Sequence, residues 1–426
     1  MNSRVSEILV LFLLRECFLK QLKMNCLQIK SVLSFLFFSC FCYSQNDSIT
    51  HKKDSLLHNS RDIIDVYKSI FTKNDTVRYD TKKKVAFSLS PIPVEGNGNA
   101  RVIISFLSTF YLGDDHKKTT MSQVIFSPYF SFSNQYVFPI QSYIYTKDDK
   151  YNFTGDYRFM IYPQPTYGLG DHHLDDEMSI LNYKQWRFYE YVTRKVKGDF
   201  GLGLGVLFDS YQNISEDSKI ERETDYFKYM SGDYSDDVSF GVAIQALYDS
   251  RINNINPEQG TYLEANFRIN TNGGLNNKGW QSLYIDARKY HSFSDVRHKV
   301  LAYRAFYWST IGGGDPHYLD LPSIGWDRQQ KTGRGFTRNR FRSNALLYFE
   351  TEYRTDISAD GFWGAVFFTN ISSVSKFQTY QFTKWNPAIG TGLRIKWNKR
   401  NNSNLVMDFG VSKNDWSLRF GLVENF

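Results

Sequence analysis

Apolar and polar residues alternate along the chain from about residue 85 onward, in short segments separated by clusters of Gly, Asn and Asp. Successive side chains of a strand point to opposite faces, so alternation with period two predicts half-buried strands. The segment near residue 240 places Phe240, Val242 and Ile244 on one face and Ser239 and Gln245 on the other. This pattern favours strands over helices.

Sixteen such segments can be counted. They begin near Val85, Arg101, Thr119, Gln135, Tyr151, Met178, Phe200, Ser239, Thr261, Trp280, His298, Asn344, Phe362, Pro387, Asn404 and Trp416. An even number of tilted strands of this length is typical of an outer-membrane barrel. The sequence therefore predicts an all-β fold, a transmembrane antiparallel β-barrel of about 16 strands over residues 85–426. A soluble β-sandwich would also alternate and is the other interpretation of this pattern alone.

The first segment contains Pro91 and Pro93. Proline cannot donate a hydrogen bond to a strand ladder, so a strand with two prolines is expected at a seam or an edge. A lead-in turn before the first true strand is the alternative.

The first 45 residues have the pattern of a signal peptide region, with Met24 as the true start. Lys30 supplies a basic segment, residues 32–41 form a short apolar core, and cleavage is expected near Ser44–Gln45. This core is far shorter than the about 20 residues that a membrane-spanning helix needs. A lipoprotein anchored through Cys40 is the less favoured alternative.

Residues 46–84 are expected to form a short periplasmic tail. Near-helical spacing predicts one amphipathic helix through the residues Leu56, Ser60, Ile63, Tyr67, Ile70 and Phe71. Whether this helix plugs the pore, touches the membrane or serves as a linker is left open by the pattern.

The amino-acid composition limits which functional sites and partners can be expected. All four cysteines precede residue 45, so no disulfide, thiolate metal site or cysteine nucleophile is expected in the remaining chain. Aromatic residues make up 17% of the chain, which suits aromatic-rich strands. The net charge of +7 is mild for 426 residues, and no nucleic-acid partner is predicted.

Catalytic motifs of the HExxH, GxSxG and phosphate-loop types do not occur in the sequence. The densest set of titratable residues is GLGDHHLDDE, from Gly168 to Glu177, between the fifth and sixth segments. Adjacent imidazoles and carboxylates can coordinate a divalent metal, but a solvated loop is expected there. We predict no enzyme, no cofactor and no metal, and a lipid-acting enzyme is a less favoured alternative.

Two stretches carry a resemblance to a known family. They are YDSRINNINPEQGTYLEANFRI (residues 248–269) and TGRGF followed by LLYFETEYR (residues 332–354). Over about residues 85–426 the chain resembles the bacterial surface-antigen family, the barrel family of BamA and TamA. The first stretch matches the strand–turn–strand element of the family through Asp249, Arg251, Pro257 and Gly260.

The second stretch resembles the sixth extracellular loop of the family, with eleven segments before it and five after it. The resemblance implies that its tip, Arg334, Gly335 and Phe336, folds back into the barrel lumen. Arg334 should then meet carboxylates on the next two strands. A guanidinium in a partly dry lumen is costly unless it is paired, and a carboxylate is its best partner.

Alternation places Glu350 and Glu352 toward the lumen. The position expected to hold the second partner carries Asn370, which has no charge, and Asp408 is the alternative acceptor. The loop from Gly312 to Ser343 also carries further basic residues, for which binding to lipopolysaccharide phosphates or water at the outer rim is the simpler interpretation: Arg328, Lys331, Arg338, Arg340 and Arg342.

The last segment puts Leu418, Phe420 and Leu422 on one face, opposite Arg419 and Gly421. Apolar residues at every second position resemble the assembly signal at barrel C-termini, which comprises Leu418, Phe420, Gly421, Leu422 and Phe426. Glu424 interrupts the series.

The family resemblance implies insertion or translocation of protein or lipid at the bacterial outer membrane. Expected partners are outer-membrane lipid, lipopolysaccharide, the barrel-assembly machinery during biogenesis, and other envelope proteins. Residues 46–83 are too few for the periplasmic POTRA module that most of the family carries. A passive or plugged barrel within an envelope complex is therefore the alternative function.

Overall fold

A computed structural model describes residues 60–71, 85–93, 101–112, 118–131, 134–171, 178–219, 222–272, 278–294 and 298–426. The predicted signal peptide, Leu56 of the helix prediction and the run His172–Glu177 lie outside the described residues.

The described residues form one sheet of eighteen strands. The strands are β1 (Val85–Pro93), β2 (Arg101–Phe110), β3 (Ser122–Phe126), β4 (Tyr129–Ser131), β5 (Tyr136–Tyr145), β6 (Tyr151–Ile161), β7 (Gln164–Thr166), β8 (Ser179–Lys197), β9 (Phe200–Ser218), β10 (Asp237–Asp249), β11 (Gly260–Asn270), β12 (Trp280–Ser292), β13 (Lys299–Gly313), β14 (Ala345–Asp356), β15 (Trp363–Val374), β16 (Asn386–Asn398), β17 (Ser403–Ser412) and β18 (Trp416–Gly421).

Two of the passes across the sheet are interrupted. Strands β3 and β4 both pair with β2 and β5, and β6 and β7 both pair with β8. Pro128 and Pro163 lie in the two interruptions, where a residue without a backbone donor breaks the ladder. Counted in this way, the strands make sixteen antiparallel passes, which confirms the predicted all-β fold.

The sheet is apolar outside and polar inside. In β10, Phe240, Val242 and Ile244 are 41–59% exposed, whereas Ser239 and Gln245 are at most 2% exposed. The most deeply buried large side chains include several arginines. This is the reverse of a soluble protein and is the arrangement that a lipid environment favours for barrel strands.

Helix α1 (Ile63–Phe71) precedes the sheet, and helix α2 (Asp225–Met230) lies between β9 and β10. Thr224 caps α2 by accepting a hydrogen bond from the Phe227 N–H at 3.1 Å. Within the described ranges, neither helix has the length and hydropathy needed to cross a membrane.

The first and last strands meet at a seam. Strand β1 pairs with β2 along its nine residues and contains Pro91 and Pro93, whereas β18 pairs with β17 over six residues. Strands β1 and β18 come within 8 Å of each other. Among the strands that the structure describes, no ladder joins these two.

The chain turns inward where β18 ends. Leu422 and Phe426 are only 2% and 3% exposed. The expectation that Leu422 continues the outward face of Leu418 and Phe420 is therefore wrong. Glu424 would face lipid if the strand continued, and it instead pairs with an arginine inside the barrel.

Candidate functional site in the barrel lumen

Residues 314–344 connect β13 to β14 and fold inward as a compact loop, called loop six here. The loop pairs with itself, since the Ile324 N–H donates to Phe341 O at 3.0 Å and the Asn339 N–H donates to Ile324 O at 2.9 Å. Burial lowers the pKa of His317 to about 3, with Arg342 adding to the effect. The ring is therefore neutral, and its Nδ1 accepts from the Leu319 N–H.

Three of the loop-six arginines assigned to the rim are buried, and one of them, Arg340, is 8% exposed and lies 4.5 Å from the centre of the Tyr167 ring. Arg328 pairs with Glu264 at 2.6 Å and is 8% exposed. Arg342 is fully buried and donates to Tyr318 O at 2.7 Å. The interpretation of Arg328 and Arg342 as binding lipopolysaccharide phosphates or water at the rim is wrong, because both side chains are buried and donate to protein oxygens.

Arg334 at the loop tip is fully buried among three carboxylates. Its Nε donates to Glu350 Oε1 at 2.6 Å, Nη1 donates to Asp408 Oδ2 at 2.9 Å, and Nη2 contacts Glu352. The guanidinium also lies 3.8 Å above the centre of the Phe368 ring. A buried guanidinium needs such charged acceptors because desolvation of an unpaired charge costs several kcal/mol.

Two further arginines share these carboxylates. Arg354 Nε donates to Glu352 at 2.5 Å, and Arg394 donates to Asp408 at 2.6 Å and to Glu424 at 2.8 Å. Lys331 lies beside these residues, and its Nζ donates to the backbone oxygen of Glu424 at 3.0 Å. The resulting lumen cluster has four cations and four carboxylates: Lys331, Arg334, Arg354, Arg394, Glu350, Glu352, Asp408 and Glu424.

The tip touches the barrel wall through Gly335 and Phe336. Gly335 has φ +92°, and a Cβ there would lie 2.7 Å from the Cβ of Ala388. A side chain is therefore excluded both by the backbone conformation and by the wall. Phe336 is 3% exposed and packs in one cluster with the wall residues Phe306, Tyr348 and Ala388.

Asn370 supports the tip without binding the guanidinium. Its Nδ2 donates to the backbone oxygen of Arg334 at 2.8 Å. The third carboxylate around Arg334 is Asp408, so Asn370 does not serve as the second acceptor for the guanidinium. An amide at this position instead holds the loop backbone.

The strand–turn–strand residues lie in the connection between β10 and β11, from the last residue of β10 to the first residue of β11. Arg251 forms a bidentate pair with Asp249, with both distances 2.8 Å, and Gly260 has φ +107°. Pro257 O accepts from Arg354 Nη1 at 3.1 Å. The turn is therefore connected to the lumen cluster through Arg354.

Residues 422–426, called the inner segment here, also contact both Arg354 and the connection between β10 and β11. Leu422 packs in one cluster with Leu107 and Ile255, and Phe426 packs near Tyr290. Backbone groups join the segment to its surroundings: the Glu424 N–H donates to Ile255 O at 3.2 Å, and Arg354 donates to Phe426 O at 2.6 Å.

Sequence reasoning did not assign Lys331, Arg354, Arg394 or Glu424 to the lumen cluster, and its interpretation of Lys331 as a rim residue is wrong, because the Lys331 amine contacts the inner segment. A signal for the two arginines was present, because each occupies an inward position in the alternation of β14 or β16. No grouping of three or more metal-binding side chains occurs among the residues that the structure describes.

The fold was compared with known proteins. No family model matches the chain, and no curated protein matches it. Among solved structures, BamA from Haemophilus ducreyi lacking POTRA domains 1–3 has a TM-score of 0.50 and 11% sequence identity, covering 86% of this chain and 80% of that one. The chain therefore has the fold of a BamA-type β-barrel.

Two other solved structures also match the chain. CdiB from Acinetobacter baumannii has a TM-score of 0.49 and 14% identity, with coverage of 79% of this chain and 59% of that one. CdiB from Escherichia coli has a TM-score of 0.48 and 13% identity, with coverage of 80% and 62%. The chain thus matches less than two thirds of either CdiB structure.

Replacing Arg334 by alanine is expected to destabilise the barrel by about 3–5 kcal/mol, because three buried carboxylates lose their shared cation. The shift between folded and unfolded bands on heating in detergent measures this loss. In a double-mutant cycle with Glu352→Ala, we expect a coupling of about 0.5–3 kcal/mol. Lys376→Ala, at an exposed cation of the next loop, is the control. Additive single effects would show that the pair is not coupled.

Replacing Glu424 by alanine is expected to release the inner segment, because the segment loses its side-chain bonds to Arg394 and Asn404, while Arg394 keeps Asp408 as an acceptor. Amide hydrogen exchange of residues 422–426 should accelerate more than about tenfold, which corresponds to about 1.4 kcal/mol. Glu424→Gln should have a smaller effect, and Glu223→Ala, at an exposed loop carboxylate, should have none. Unchanged exchange in Glu424→Ala would mean that apolar packing alone holds the segment.

Proposed function

We propose that this chain is an outer-membrane member of the surface-antigen barrel family and that it assists insertion or passage of protein or lipid. The proposal includes export by a cleaved signal peptide and a non-enzymatic role. Two observations support it: the resemblance of residues 248–269 and 332–354 to the family, and the BamA-type fold of the sheet.

The proposed insertion or passage of a client depends on the seam between β1 and β18. Strand β1 has nine residues and β18 has six, and no ladder joins them among the described strands. An unpaired strand edge presents N–H and C=O groups that can pair with an incoming strand. Phe87 and Leu89 of β1 are 77% and 54% exposed, so the same edge also presents apolar side chains.

A plugged structural barrel is the second candidate, and the filled lumen favours it. Loop six and the inner segment occupy the interior, with Arg334 fully buried and Phe336 and Phe426 each 3% exposed. A barrel of this kind would scaffold an envelope complex without moving a client. The two candidates differ in whether the seam must open.

Locking the seam should abolish activity if the proposal holds. Val85→Cys and Phe420→Cys, joined by a bis-maleimide in a chain without the four native cysteines, would fix the starting end of β1 to the finishing end of β18. Activity is read in proteoliposomes as insertion of a urea-denatured outer-membrane barrel protein and as transbilayer movement of a fluorescent phospholipid.

The control lock joins Tyr248→Cys to Leu263→Cys, which are ladder partners in β10 and β11. It closes no seam and should leave both activities intact. If the seam-locked protein retains both activities, the insertion proposal is wrong. If the unlocked protein has neither activity, the plugged barrel is favoured.

Conductance in planar bilayers tests the plug. We expect the wild-type protein to conduct little, because the lumen cluster holds loop six in place. Arg334→Ala should increase the conductance and the frequency of open events, since the loop tip loses its charged anchors. Large, steady wild-type currents that Arg334→Ala leaves unchanged would contradict a plug held by this residue.

A further inference from the structure

Helix α1 is attached to the barrel through its polar side. Asp62 and Asp65 cap each other's backbone N–H groups at 3.0–3.1 Å, and both also bind Lys399 in the turn between β16 and β17. Lys399 Nζ lies 2.7 Å from Asp65 Oδ2. The neighbouring turn adds a contact, because the Arg61 N–H donates to Asp360 O at 3.0 Å.

The apolar side of the same helix points away from the barrel. Ile64, Tyr67 and Ile70 are 42%, 63% and 68% exposed. At roughly 100° per residue they fall within an arc of about 120° on one side of the helix. Helices of soluble proteins turn this side inward, so α1 has the opposite orientation.

The attachment point lies at the rim of the outward apolar surface. Asp360 belongs to the turn between β14 and β15, where Ile357 is 61% exposed and Trp363 is 41% exposed. Tryptophan is enriched at the level where a membrane meets water, because its ring is amphipathic. The exposed side of α1 therefore adjoins an apolar surface that already ends in an interfacial residue.

We propose that α1 is an interfacial anchor whose Ile64, Tyr67 and Ile70 side chains enter the lipid leaflet at this rim. Amphipathic helices of this kind bury their apolar side about 5–10 Å into the boundary between headgroups and acyl chains. The inference rests on the proposed placement of the barrel in a membrane. It adds a second lipid contact, made by the segment before the barrel.

Site-directed spin labelling of the full chain in phosphatidylethanolamine–phosphatidylglycerol proteoliposomes tests the anchor. The four native cysteines are replaced by serine, and single labels are placed through Ile64→Cys, Tyr67→Cys and Ile70→Cys. Ser69→Cys is the matched control, because Ser69 is exposed on the polar side of the same helix. Relaxation by oxygen reports lipid exposure, and relaxation by a water-soluble nickel chelate reports exposure to water.

We expect the oxygen-to-nickel accessibility ratio at the three apolar positions to exceed that at Ser69 several-fold. Equal ratios at the apolar positions and at Ser69 would overturn the anchor. Low accessibility of the apolar positions to both reagents would also overturn it, because that result would mean that protein covers the helix. A label at Ile244→Cys on the outward side of β10 separates the two proposals. If Ile244 is lipid-exposed and the helix is not, only the anchor fails; if Ile244 is also exposed to water, the membrane placement fails.

Discussion

The buried charge cluster around Arg334 is the interaction on which the lumen architecture depends. The walls contribute Glu350, Glu352 and Asp408, which Arg354 and Arg394 cannot fully neutralise. Uncompensated carboxylates inside a protein are strongly destabilising. Loop six supplies Arg334 and Lys331, so the inward fold of the loop is an electrostatic requirement of the barrel as well as a result of apolar packing.

The same charge balance explains the shape of the seam. Arg394 takes a second acceptor from Glu424, and this pairing draws residues 422–426 inward. Residues used for that pairing cannot extend β18, so the strand ends at Gly421 after six residues. Strand β18 is therefore shorter than the nine-residue β1, and a change in the cluster is expected to alter the strand next to the seam.

Alternation was enough to predict the strands, because the two faces of each strand meet different environments, but alternation alone did not separate a membrane barrel from a soluble β-sandwich. Predicted starts near Thr119 and Ser239 lie within three residues of the observed starts of β3 and β10. Alternation also placed Glu350 and Glu352 toward the lumen. It could not select Asp408 over Asn370, because that choice depends on which distant strand the loop tip reaches. The inward turn at Leu422 was hidden for the same reason, since its cause is the distant Arg394.

For the proposed function, energetics favour the seam over the lumen as a route for a client. Passage through the lumen would require removal of loop six and the inner segment, which separates several buried ion pairs and leaves wall carboxylates without their cations. Opening the seam breaks no backbone ladder among the described strands. An incoming strand could also restore backbone hydrogen bonding along the edge of β1. A barrel with this distribution of interactions is therefore easier to open sideways, at the seam, than along its axis. A lumen filled by loop six is thus compatible with a seam that opens.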